Sequence, residues 1–283
     1  MSTDDCRYEM KPELSVIITW CNRPELERTL GENRQLFERY DAEVIVVNCA
    51  GSQADLSKIL SQPRPRRLSR VDLQTTVFNK CLAINLGVSA AQSDHIFLLD
   101  ADIVLTEDFL RTAFGIIADQ HFFTVERVVE SEPEPLPPND HLEEMTHRMS
   151  FVGRGGRKAT AMVRRTLRDD SRNAPGLVML ARKHFLEVGG MNADLQGYGW
   201  EDRDLLLRLQ FLLGLEERSG GTVMHLSHKD EDQHVAWQDR QTSEQLNFAA
   251  CLKNYRAGHY AGTYYDDLAI WKDKVSVEDK TGV

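Results

Sequence analysis

Behind His95, the residues Ile96-Phe97-Leu98-Leu99 form an unbroken apolar run that stops at two carboxylates, Asp100 and Asp102. A run without alternation, made of branched and aromatic residues, predicts a strand buried on both faces, as in parallel sheets. A strand of that kind needs helices above and below it, which narrows the fold to the α/β class. The segments before it keep to that plan. Glu13–Thr19 and Ala42–Asn48 read as two further buried strands. Pro24–Tyr40 is helical, with Leu26, Leu30, Leu36 and Phe37 on its inner face, and Ala54–Leu60 is a shorter helix. Phe78–Ala91 is a helix with Leu82, Leu86 and Val88 turned to the core. The expected fold is a doubly wound, mostly parallel central sheet flanked by helices.

Ligands of open α/β sheets bind beyond the carboxyl ends of the strands, where Asp100-Ala101-Asp102 lies. Two acids one residue apart offer hard oxygen ligands to a divalent cation; they also read as plain surface acids at a strand exit. A second cluster, Gly197-Tyr198-Gly199-Trp200-Glu201-Asp202-Arg203-Asp204, places glycines and a tryptophan before an acidic helix start. The glycines permit close backbone approach, and Trp200 offers a flat face to a sugar ring. Asp202 shares a helical face with Leu205, Leu206 and Leu209, so it points inward and suits a general base. The same acids also serve as ordinary caps at a helix N-terminus, and Asp204 with Arg208 as an i,i+4 pair. Third, His225 and His228 follow a short apolar strand, Thr222–Met224, and precede Asp230, Glu231, Asp232 and His234. Their spacing matches no closed zinc site, and imidazole suits Mn²⁺ and related metals or a purely structural role.

Composition sets bounds on these readings. A net charge of −10 over 283 residues argues against nucleic acid as a partner. No window approaches eighteen apolar residues, so no transmembrane segment is expected. Five cysteines without a CxxC pair, and an acidic start lacking a signal core, point to the cytosol, including its membrane face. Beyond Glu107–Ala118, a helix, the sequence is less legible. Glu130–Pro138 is a proline-rich loop, and His141–Asn173 is polar and arginine-rich with no clear period. Gly176–Leu180 is a strand, Arg182–Val188 and Asp202–Leu213 are helices, and a further helix runs from after Asp230 to about Asn254. Val277–Val283 is expected to fray.

Taken in order, these segments resemble a GT-A-fold glycosyltransferase of the family 2 type. The matching residues are Ser15–Thr19 with Asn22-Arg23, Val44–Asn48, Phe78–Lys80 through Asn85–Gly87, and Leu98–Asp102. They continue with Val188–Asn192, Gly197–Asp204 and His228. The carboxyl half resembles the galactosyltransferase-like subgroup, including chondroitin-polymerase-like and β-1,4-galactosyltransferase-like enzymes. The resemblance implies an extension at 1–12 and a GT-A domain at 13–228. That domain divides into a nucleotide-binding half (13–122), a variable acceptor-side insertion (123–175) and a catalytic half (176–228). A helical C-terminal region and tail occupies 229–283. It implies transfer from a UDP-sugar to a glycan, lipid-linked or peptide acceptor, dependent on Mn²⁺ or Mg²⁺ and inverting. Thr19, Asn22, Arg23, Asn48, Lys80, Asn85, Asp100 and Ala101 are then nucleotide-sugar contacts. Asp102 and His228 are metal ligands, with His225 as a second histidine ligand. Asp202 is the base, Glu201 an acceptor contact, and Gly199 and Trp200 line the acceptor site. Two positions depart from the pattern: Asn48 stands where an aspartate is usual, and Ile84 where an arginine is usual. Lys80, one helical turn before Ile84, offers a replacement cation.

Two rival readings remain open at this level. Asp100-Ala101-Asp102-Ile103-Val104 also fits the loose nucleophile pattern of haloacid-dehalogenase-type phosphohydrolases, with Asp100 as nucleophile. That pattern closes a first strand, whereas two strands precede it here. The other is a nucleotide-sugar- or carbohydrate-binding module without activity.

Overall fold

A computed structural model describes residues 11–117, 120–133, 143–166, 169–228 and 239–279. The amino half alternates strand and helix: β1 (Leu14–Trp20), α1 (Leu26–Arg39), β2 (Ala42–Cys49), α2 (Gln53–Leu60), β3 (Leu68–Leu73), α3 (Lys80–Ala90) and β4 (His95–Leu99). Side-chain caps fix where helices start: Ser52 accepts from the Asp55 amide, and Asn79 from the Leu82 amide. β3-β2-β1-β4 are parallel neighbours, in register from Leu14 opposite Ala42 to Trp20 opposite Asn48.

Every residue of β1 and β2 is buried, and their alternation divides two cores. Val16, Ile18, Val44 and Val46 face α1 with its Leu26, Leu30 and Phe37. Ile17, Ile45 and Val47 face α3, which is buried nearly all round. The expected α/β class and helix-flanked, mostly parallel sheet are what the molecule has.

The remaining strands extend the sheet past β4. A short β5 (Ile103–Val104) leads into α4 (Glu107–Ile116), followed by β6 (His121–Glu130), β7 (Glu144–Val152), β8 (Lys158–Thr166) and β9 (Arg172–Ala181). After α5 (Arg182–Glu187), α6 (Glu201–Arg208) continues through a π-helical turn, Leu209–Leu213, to β10 (Glu216–His225). The sheet order is β11-β3-β2-β1-β4-β9-β6-β10-β5, with the β7–β8 hairpin hanging from β9. β9 is antiparallel to β4 and β6, and β6 is parallel to β10. Helices α7 (Arg240–Ala257) and α8 (Tyr264–Trp271) precede β11 (Val275–Asp279), an antiparallel strand on the β3 edge.

Several expectations need correction. β3 lies between the basic proline segment and α3, so Asp100 follows the fourth strand, not the third. The stretch 141–173 holds a regular hairpin whose exposed β7 lacks the apolar alternation that would reveal it. β6, within the expected insertion, is an inner strand of the main sheet. Residues 275–279 pair with β3, so the chain there is a strand and not frayed. Residues 134–138 of the proline loop, and Asp230, Glu231, Asp232 and His234, lie outside the described residues. Among the described residues no helix is long and apolar enough to cross a membrane.

Asn85 holds the two halves together. It is fully buried in α3; its Oδ1 accepts from the Met191 amide, and its Nδ2 donates to the Met191 carbonyl and to Asp267 of α8. An unmatched buried polar group costs about 1–3 kcal/mol. Asn85→Ala is expected to lower stability by about 3 kcal/mol in urea denaturation.

Candidate functional site

The carboxyl end of β4 and the ends of β6 and β10 meet at one edge of the molecule. β5 pairs antiparallel with β10, setting Ile103 opposite His225, and the Leu226 amide donates to the Asp102 carbonyl at 2.7 Å. Thr29 and Asn33 of α1 donate to the Ala101 and Ile103 carbonyls, so this turn is fixed from behind. The result brings Asp102, His225 and His228 together, with ligand atoms all within 4.8 Å of one another. His228 Nε2 lies 3.3 Å, and His225 Nε2 3.6 Å, from the same Asp102 oxygen. Burial would raise the Asp102 carboxyl, but the hydrogen bonds and charge of the two imidazoles outweigh it and hold it well below the usual range. One carboxylate and two imidazoles converging on a point fit a divalent transition-type cation.

Beside this triad lies a cation among acids. Lys80, at the start of α3, reaches Asp100 at 3.1 Å and Asp202 at 3.4 Å. Burial disfavours its ammonium, but Asp100, Asp202 and Glu201 outweigh that and raise its pKa well above the ordinary value. Asp202 stays partly accessible, and Gly176 of β9 makes room for it: a Cβ there would sit 2.4 Å from its Oδ2. Glu201 is buried, its Oε2 without a hydrogen-bond partner among the described residues. Burial and the neighbouring Asp202 push its carboxyl up to about 7. Asp204 is no part of this group: it is buried in a pair with Arg208 at 2.7 Å and accepts from the Tyr255 hydroxyl.

Other expected residues fall in three places. Thr19, Asn22, Arg23 and Asn48 cluster at the β1 and β2 ends. Asn22 adopts φ of 56° and caps the Ser52 amide, while Arg23 keeps Nη1 buried without a partner among the described residues. Asn48 is bound on both sides, accepting from Gly51 and donating to Asp72, which Arg70 grips through two bonds. Ala101 packs into the core, with its carbonyl already taken, so it offers a donor no side-chain contact. Asn85 is withdrawn into the core, so it too is a structural residue. Trp200 departs most from expectation. Its ring is buried, lies 4.3 Å from Phe248 and edge-on to Phe151, and has the Arg203 guanidinium over it. It is a wedge under the acidic turn and not an open platform; in the same loop Tyr198 is the exposed aromatic.

The sequence profile of the family described as glycosyltransferase-like family 2 matches residues 15–230. The chain belongs to that family. Family membership sets the phosphohydrolase reading aside. No curated protein sequence matches the chain. Among solved structures it is similar to the mannosyltransferase PcManGT from Pyrobaculum calidifontis, in complex with GDP-Man and Mn²⁺. That likeness has 16% identity and a TM-score of 0.52, over 94% of this chain and 74% of the other. It is also similar to S. aureus TarS 1–349 in complex with UDP-GlcNAc, at 12% identity and a TM-score of 0.52, over 93% and 72%. At these identities the likeness establishes a shared GT-A glycosyltransferase fold.

Sequence reasoning missed Glu130, whose carboxylate lies 2.6 Å from His225 Nδ1. Its only signal was an acid at the start of a proline-rich loop. A prediction follows from Glu201. Its folded pKa lies above the ordinary carboxyl value, so the folded state holds a proton that the unfolded chain releases. Stability therefore falls as pH rises from the ordinary range towards 7. Glu201→Gln removes that penalty and is expected to gain on the order of 2 kcal/mol relative to wild type between pH 5 and pH 8, measured by chemical denaturation at both.

Proposed function

We propose that the protein is a metal-dependent, inverting glycosyltransferase that moves a hexosyl or N-acetylhexosaminyl group from a UDP-sugar to a glycan, lipid-linked or peptide acceptor. One observation carries the reading: three side chains able to hold a cation, and a lysine-bridged set of acids, come together near the strand ends of a family 2 chain. The nucleotide sugars held by PcManGT and TarS, and the Mn²⁺ of PcManGT, support it. UDP-Gal, UDP-GalNAc, UDP-Glc and UDP-GlcNAc are the donors to screen.

Asp102, His225 and His228 would hold Mn²⁺ or Mg²⁺, which supplies countercharge to a diphosphate leaving group. Lys80 and Arg23 add fixed positive charge on the protein side, where it is worth most because the surroundings are partly dry. Asp100, steadied by Lys80, faces the ribose. Asp202 accepts the proton of the acceptor hydroxyl as its oxygen attacks the anomeric carbon. The bond from that carbon to the diphosphate oxygen breaks on the opposite side, and the configuration inverts. Asp202 is assigned as the base over Glu201 because it is the more accessible carboxylate, while Glu201 is buried.

General-base help is worth about 10²–10⁴ in rate. Asp202→Asn is expected to lose that much turnover, followed as UDP release with acceptor present, while keeping calorimetric affinity for UDP and Mn²⁺. Unchanged turnover would refute the base. Asp102→Ala is expected to lose the Mn²⁺-dependent part of UDP binding. Binding of UDP-sugars by the wild type with no UDP release under any donor and acceptor would favour the inactive module instead.

A further inference from the structure

Glu130, the last residue of β6, stands beside the triad and engages three side chains, His225, Ser227 and Arg172. The parallel register of β6 and β10 sets it directly opposite His225. One carboxylate oxygen lies 2.6 Å from His225 Nδ1 and accepts from the Ser227 hydroxyl at 3.0 Å. The other accepts from Arg172 Nη1 at 2.5 Å. The turns on either side are laced together: the Ser131 amide donates to the His225 carbonyl, and the Ser227 amide to the Ser131 hydroxyl.

The consequence for His225 is chemical. A neutral ring that donates Nδ1–H to Glu130 turns the lone pair of Nε2 towards Asp102, 3.6 Å away. A cation placed between them would meet one nitrogen and one oxygen donor already aimed at each other. A carboxylate behind an imidazole also fixes its tautomer and raises its basicity, a common support for metal-bound histidine. Arg172 in turn holds the second oxygen of the Glu130 carboxylate and so fixes its plane. Without this backing His225 could rotate about its side-chain bonds, leaving one imidazole and one carboxylate.

Resting on the reading of Asp102, His225 and His228 as a cation site, we propose that Glu130, anchored by Arg172, is a positioning residue that makes His225 the third ligand and so biases the site to Mn²⁺ over Mg²⁺. Imidazole donors suit later divalent metals, whereas Mg²⁺ favours oxygen and retains its waters. Removing one of two imidazoles shifts the balance towards the harder ion.

The test is Mn²⁺ titration of the full chain, read by the electron paramagnetic resonance signal of free Mn²⁺, with Mg²⁺ as competitor. Loss of such a supporting partner lowers affinity about 10–100-fold. Glu130→Ala and His225→Ala should each show that loss, and the double variant should be no weaker than His225→Ala alone. Spin-echo modulation from ¹⁴N should report two imidazoles on Mn²⁺ in the wild type and one in Glu130→Ala, and the preference for Mn²⁺ over Mg²⁺ should narrow. Glu130→Gln, which keeps the shape and one acceptor, should fall between, showing that the loss does not come from misfolding. Full Mn²⁺ affinity in Glu130→Ala, with binding abolished in Asp102→Ala, would overturn the role of Glu130 and leave the cation site standing. So would an equal further loss when Glu130→Ala is added to His225→Ala. Mn²⁺ binding by the wild type that Asp102→Ala does not weaken would overturn the cation site itself, and the proposal with it.

Discussion

The backbone bond from the Leu226 amide to the Asp102 carbonyl, with the β5–β10 pairing beside it, joins two stretches that sequence keeps far apart. Everything at the site depends on that junction. On one side α1 holds the Asp100–Asp102 turn through Thr29 and Asn33; on the other β6 holds β10 along its length. Asp102 lies in the turn before β5 and His228 just beyond β10, and that backbone junction is what brings their side chains together.

Electrostatics gives the two halves of the site different characters. Around Lys80 three carboxylates share one cation, and the surplus negative charge with burial pushes the most buried of them, Glu201, up to about 7. Around Asp102 the charges are more evenly matched: two imidazoles face its carboxylate, and Arg172 offsets Glu130. Burial alone would raise every carboxyl here; neighbours decide which stays ionised.

Much of the amino half was legible because its strands are buried on both faces and its helices carry caps and apolar faces that propensity alone reveals. The acids of Asp100-Ala101-Asp102 and Glu201-Asp202, and the histidines at and just beyond the end of β10, were legible from their positions at strand ends and before a helix. Position in sequence could not show orientation. Trp200 and Asn85 carry the right chemistry for a ligand contact, yet packing turns both inward, against Phe248 and Met191 respectively. β7 and β11 escaped because they are mostly exposed, and β8 because its buried face is made of small residues, Ala159 and Ala161. Glu130 escaped for a further reason: an acid that works through a partner on another strand has no local signature.

Trp200 adopts a left-handed backbone, φ 73°, directly before the acidic turn, a conformation that a bulky residue holds only under external constraint. That constraint comes from α7. Phe248 packs on the ring, Asn247 and Ser243 bond the Gln196 and Gly199 carbonyls and the Tyr198 amide, and Glu244 pairs with Arg203. The acids are thus aimed by a helix encoded some forty residues later. During synthesis the strands of the amino half emerge well before that helix. The left-handed turn at Trp200 is therefore locked only after α7 has been made and docked.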